Sequence, residues 1–253
     1  MKINEKKVAI CISGHLRDYK DLMGGFRENI LNPLKEKFDV DVFVSTWNVL
    51  YTKRSMTFIA KNYLGESNPP QDAPMTEQEI EEAKNLYKAE TFEVEKHEDV
   101  SSIFKINYYN PLKMNPDHFV RGMDGELNYI PMHYKIKKCN ELKKQKELKD
   151  GFKYDLVVKT RPDLAYFNRI NPTLFNERKT VYIENEIREN FCRDLLAAGS
   201  SEDMDVYCSL FDDLKFYLND ENYNEESEFV LDNHLKRNKM NVKLAGCHCI
   251  VKK

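Results

Sequence analysis

The chain has no long apolar run. Its start, MKINEKKVAICISGH, is basic, but the apolar segment from Val8 to Ile12 spans only five residues. That is too short for a signal-peptide core and far from the roughly 20 residues of a membrane span. The expectation is a soluble protein without a transmembrane segment, cytoplasmic or at the cytoplasmic face of a membrane. Nor is there a surplus of one charge: 39 Lys and Arg stand against 42 Asp and Glu, a net charge of -3. Counterion release from a phosphate backbone needs a basic surplus, which excludes nucleic acid as a general partner. No G-x-G-x-x-G follows a predicted strand, and neither G-x-x-x-x-G-K nor G-x-S-x-G occurs. The signatures of dinucleotide enzymes, P-loop NTPases and serine hydrolases are therefore missing. Six cysteines are scattered, and the C-x-C of Cys247 and Cys249 lacks the second pair that a closed zinc site requires. Reduced thiols are expected. No internal repeat or coiled-coil heptad is visible.

What the sequence does hold is material for a core. Hydrophobic residues make up 41%, with 14 Phe and 14 Tyr, enough for a single α/β domain over residues 1–253. KVAICIS reads as a strand, followed by a helix carrying Leu22, Phe26, Ile30 and Leu34, interrupted near Gly24, Gly25 and Pro33. DVDVFVSTW is a second strand. Thr76 and Glu79 have capping-box spacing before a helix with Ile80, Ala83 and Leu86 on one face, and TFEVEK follows as a strand. Residues from about 97 to 130 lose periodicity and are rich in Asn, Pro and Gly, which predicts a loop-rich insertion. Pro131 then opens a helix with Met132, Ile136, Cys139 and Leu142 on one face. DLVVKT is a buried strand, helices follow from Ser200 and within ESEFVLDNHLKRN, and MNVKLAGCHCIV closes the chain as a strand. Such alternation predicts a mostly parallel central sheet with helices on both faces.

Sheets of this kind place ligands outside the carboxyl ends of their strands. Three predicted strand ends carry polar groups: Ser13, Gly14 and Arg17; Thr46 and Trp47; Arg161 and Asp163. A carboxylate there suits a divalent cation, and a fixed guanidinium suits phosphate oxygens.

Six segments in this order, VAICISGHLRDY, DVDVFVSTW, YKIKKCNEL, YDLVVKTRPDLAYF, RDLLAAGSSEDMDVY and SEFVLDNHL, resemble a group of GT-A-like glycosyltransferases from bacterial polysaccharide loci and large viruses. The likeness runs from about residue 7 to 236. It implies a Rossmann-like GT-A fold, a nucleotide-sugar donor, a glycan or other hydroxyl acceptor held by the 97–130 insertion, and Mn2+ or Mg2+ at the diphosphate. Where related folds carry Asp-x-Asp, this chain reads Arg161-Pro162-Asp163, one carboxylate short. The resemblance assigns Asp163 to the metal, with His248 as a further ligand, and Glu228 to the position of the catalytic base. Asp194, in CRDLLAAGS, is a second candidate base or a binder of acceptor hydroxyls. Tyr134 and Lys138, one turn apart, are candidates to face the donor phosphate alongside Ser13, Gly14, Arg17, Thr46, Trp47 and Arg161.

Each residue has a structural counterpart to this reading: Asp163 caps a turn, Trp47 is a core ring, Glu228 belongs to an acidic helix start, and Lys138 sits on a wet face. A protein that binds nucleotide sugar or glycan without turnover is the alternative function. A strand-end polar side chain adds little to a core, so Asp163→Ala is expected to abolish transfer and leave the fold intact.

Overall fold

The computed structural model describes residues 6–50, 74–108, 129–184, 187–188, 191–218 and 227–252. Strand β1 (Lys7–Ser13) lies between β2 (Asp39–Trp47) and β4 (Leu156–Thr160), parallel to both, with Ser13 opposite Ser45 and Ile12 opposite Thr160. With β3 (Thr91–Glu95), β6 (Thr180–Ile183), β9 (Ala197–Gly199) and β10 (Asn241–Leu244) they form a seven-stranded sheet in the order β10-β6-β9-β4-β1-β2-β3. The sheet is mixed: β9 runs antiparallel to both neighbours, and the other pairs are parallel. Because β9 runs the other way, its first residue lies at the carboxyl edge of the parallel strands. Asp194, three positions earlier, is delivered there.

Strand alternation divides the core between the two faces. Val8, Ile10 and Ile12 pack with Tyr19, Met23 and Phe26 of α1 (Tyr19–Phe26) and Leu34 of α2 (Asn32–Lys35). Ala83 and Tyr87 of α3 (Glu77–Tyr87) join them. Ala9 and Cys11 face the opposite layer, with Phe104 of α4 (His97–Tyr108) and Ile136, Cys139 and Leu142 of α5 (Tyr129–Asp150). The same layer holds residues of α6 (Ser201–Cys208), α7 (Leu210–Leu218) and α8 (Ser227–Arg237). A fully buried side chain such as Ile10 contributes about 1.5–3 kcal/mol.

Local signals operate as written in the sequence. Thr76 Oγ1 accepts from Glu79 N and Glu79 Oε2 from Thr76 N, the reciprocal cap that starts α3. Ser200 caps α6 by accepting from Asp203 N. The interruption expected near Pro33 is instead absorbed: α1 passes through a π-helical turn, Arg27–Leu31, into α2. Pro33 cannot donate to Asn29 O, and Ile170 N does so at 2.8 Å.

Two expectations are corrected. The loop-rich stretch begins with the helix α4, while residues 109–128 lie outside the described residues. The single closing strand is two: β10 in the main sheet and β11 (Cys249–Val251), antiparallel to β5 (Leu164–Tyr166). Gly246, at φ +68, lies between them. A two-stranded hairpin of β7 (Ile187–Arg188) and β8 (Phe191–Cys192), with β5, β6 and β9, was not predicted. All six cysteines are buried free thiols, and alternation exposes His248 between buried Cys247 and Cys249. Among the described residues no helix is long and apolar enough to cross a membrane.

Candidate functional site

The carboxyl edge of β1 and β4 is built around one carboxylate. Asp163, 2% exposed, accepts from Arg161 through Nε to Oδ1 and Nη2 to Oδ2, both at 2.9 Å. Arg17 Nη1 donates to the same Oδ2 at 2.7 Å. The two-point fork of Arg161 is the strong form of the ion pair and fixes that guanidinium in space, while Arg17 is held by a single charge-assisted bond. The expectation that Asp163 adds little to the core is thereby corrected: it is the buried counterion of two arginines. Arg161 Nη1 makes no hydrogen bond to a described residue.

The turn after β1 explains how Arg17 arrives. Gly14 adopts φ +117, and a Cβ there would lie 4.0 Å from Pro162 Cδ, so the turn packs directly on the Arg161-Pro162-Asp163 segment. Gly14 N donates to Ser45 O, and Thr46 Oγ1 donates to Gly14 O at 2.8 Å. Arg17 itself takes φ 29, a left-handed value that non-glycine residues hold only where the surroundings enforce it. Ser13 Oγ is buried with no hydrogen-bond partner among the described residues.

A second polar group adjoins the first. Asp194 Oδ2 accepts from Ser227 Oγ at 3.2 Å, and Ser227 Oγ lies 3.3 Å from His133 Nε2. Lys159 Nζ donates to the backbone oxygen of Asp194. Burial pushes the Lys159 amine below its ordinary range, while Asp194 opposes that effect and Arg161 adds to it. Arg161, Lys159 and Asp194 thus act on one another across the edge. Glu228 follows Ser227 at the start of α8 and is half-buried.

Other candidates go elsewhere. Trp47 is 2% exposed, stacks on Tyr134 at 6.0 Å between centroids and carries Lys135 Nζ at 4.4 Å. Tyr134 OH donates to Glu95, and Lys135 pairs with the same carboxylate at 2.5 Å. The ring faces in that layer are covered by protein. Lys138 reaches Glu141 at 3.5 Å and Glu93 at 3.8 Å. His248 is exposed beside Phe167, 5.3 Å between rings.

The described residues do not fit the divalent cation that the resemblance implies. Both Asp163 oxygens already face guanidiniums. Phe167 N donates to His248 O and Lys252 N to Asp163 O, which sets His248 and Asp163 four residues apart along β5. At about 3.3 Å per residue that is roughly 13 Å, too far for one ion. Among the described residues no group of three or more His, Cys, Asp or Glu could hold a metal.

Four contributors were not singled out from sequence: His15, His133, Lys159 and Ser227. A charge inside the apolar LVVKT and a histidine in GHLR were the available signals. His15 shares a hydrogen bond with Val49 O at 3.1 Å. A carbonyl only accepts, so Nδ1 carries the proton. Burial, with the Arg17 charge, pushes this imidazole down to about 4, and burial pushes His133 down to about 3. The unfolded chain takes up these protons near 6.5, well before the folded protein does. Stability is therefore whole above that pH and falls as pH drops from 6.5 toward the folded values, by about 1.4 kcal/mol per pH unit for each ring. Urea midpoints measured across this range should show the decline, with a shallower slope in His133→Gln. Equal slopes would mean that His133 is not held neutral.

No protein-family model matches the chain, and no curated protein matches its sequence. The fold defines an α/β protein with a mostly parallel mixed sheet, with Arg17, Arg161, Asp163 and Asp194 at the carboxyl edge of β1 and β4.

Proposed function

We propose that the protein is a GT-A-like glycosyltransferase that moves a sugar from a nucleotide-diphosphate donor to a hydroxyl acceptor. The observation that carries this reading is the pair of guanidiniums held on buried Asp163 at the carboxyl ends of β1 and β4. As the glycosidic bond to the diphosphate breaks, negative charge grows on the departing phosphate oxygen. A cation already in place stabilises that charge without reorganising, and one such donor is worth about 10²–10³ in kcat. Arg161 and Arg17 are assigned this task, with Asp163 as the residue that aligns them. Gly14 lets the chain turn close to Pro162, and the Ser13 hydroxyl beside it is buried without a hydrogen-bond partner among the described residues. Asp194, at the same edge, is the carboxylate placed for the acceptor side.

The test is a thermal-shift screen of the full chain against UDP-, GDP-, CDP- and dTDP-sugars. A donor that binds only the folded state adds about 2.7 kcal/mol at a hundredfold excess over Kd. A rise in Tm with at least one donor, absent with the free sugar, is expected. No rise with any of them overturns the reading. Donor turnover then separates a transferase from a protein that only binds.

A further inference from the structure

Asp194 is anchored on one side only. Its Oδ2 accepts from Ser227 Oγ, and no described residue hydrogen-bonds Oδ1. The serine hydrogen is spent on the carboxylate, so Ser227 Oγ must accept from His133, whose Nε2 then carries the proton. The result is a one-way chain from α5, through the first residue of α8, to the segment before β9. His133 is 1% and Asp194 8% exposed. Lys159 fixes the backbone of the same residue through its carbonyl. Buried polar chains add little stability over apolar packing of equal volume, but the hydrogen bonds along them hold their members in one relative geometry.

A carboxylate fixed through one oxygen, with no hydrogen bond from a described residue at the other and within range of the Arg161 charge, has the form of a positioned base. We infer that Ser227 and His133 are positioning residues that hold Asp194 to take the proton of the attacking hydroxyl, an inference that rests on the transferase reading of the site. In the step, Asp194 Oδ1 accepts the hydroxyl proton and the acceptor oxygen bonds to the anomeric carbon. The bond from that carbon to the diphosphate oxygen breaks, its electron pair leaving on the phosphate beside Arg161. Asp194 then returns the proton to solvent. A single displacement of this kind inverts the anomeric centre.

The experiment uses the full chain with a panel of UDP-, GDP- and dTDP-hexoses, and water or p-nitrophenyl hexosides as acceptor. Parent, Ser227→Ala, Ser227→Thr and His133→Gln are compared for kcat, KM, donor Kd and Tm. The parent should give the inverted anomer by proton NMR at early times. Ser227→Ala and His133→Gln should lose kcat by about tenfold to hundredfold, within the 10²–10⁴ range of general-base effects, with donor Kd unchanged. Ser227→Thr, which keeps the hydroxyl, should restore most of it. An undiminished kcat in Ser227→Ala, a rise in KM alone, or a retained anomer overturns the positioning role while leaving the transferase reading intact. A parent that binds none of the donors, or binds without releasing sugar, overturns the transferase reading and this inference with it.

Discussion

Replacing Asp163 with alanine is expected to destabilise the fold by about 3–5 kcal/mol, the loss that follows when one partner of a buried ion pair is removed. The carboxylate neutralises Arg161 and Arg17, and without it both positive charges stay in a half-buried edge unable to regain full hydration. Urea denaturation at neutral pH measures this directly. Asp163→Asn keeps the shape and removes the charge, so it should fall between parent and alanine. The pH dependence has a definite sign. Burial alone would raise the Asp163 carboxyl, but the Arg161 charge and hydrogen bonds, and then Arg17, hold it at about 2, below its ordinary 3.8. The unfolded chain therefore takes up this proton first. The stabilisation is whole above 3.8 and is lost as pH falls toward 2. An alanine variant with the parent's midpoint would show that the pairing adds nothing.

This outcome also marks what could be read in the sequence. β1, β2 and β4 were legible because their runs are apolar and alternate cleanly between two faces, and the caps at Thr76 and Ser200 because they are local. The carboxyl edge followed from the alternation of strands and helices. What was not legible depends on distance or on direction. Arg17 and Asp163 are separated by 146 positions, and no spacing rule announces that a strand-end carboxylate will be spent on two guanidiniums. β9 is three residues long, Ala-Ala-Gly, and its antiparallel course is imposed by its neighbours β4 and β6. That course carries Asp194 to the edge, and it could not be read from the residues themselves. His248 was assigned by resemblance, and the pairing of β11 with β5 sets it far along the ladder from Asp163.

On the transferase reading proposed above, the same geometry predicts that nucleotide diphosphate binding does not need a divalent cation. A metal at Asp163 would compete with three charge-assisted hydrogen bonds of 2.7–2.9 Å from Arg161 and Arg17 and would find only this one carboxylate to coordinate it. Titration of UDP or GDP calorimetrically into the full chain should give the same Kd with EDTA as with Mn2+. On the same reading Arg161→Ala removes a hydrogen bond to the diphosphate, worth about 1.5–3 kcal/mol, and so should weaken binding by roughly tenfold to a hundredfold. Arg161→Lys keeps the charge but not the fork, so it should recover only part, since a single ammonium cannot bridge Asp163 and a phosphate in the same plane. Because Arg161 also stabilises Asp163, each variant must be compared at a temperature where it is fully folded. Binding that vanishes in EDTA and returns with Mn2+ would give the diphosphate to a metal and reduce the arginines to a structural pair. Binding that is indifferent to EDTA but collapses in Arg161→Ala places the charge that steadies the leaving phosphate in the protein itself.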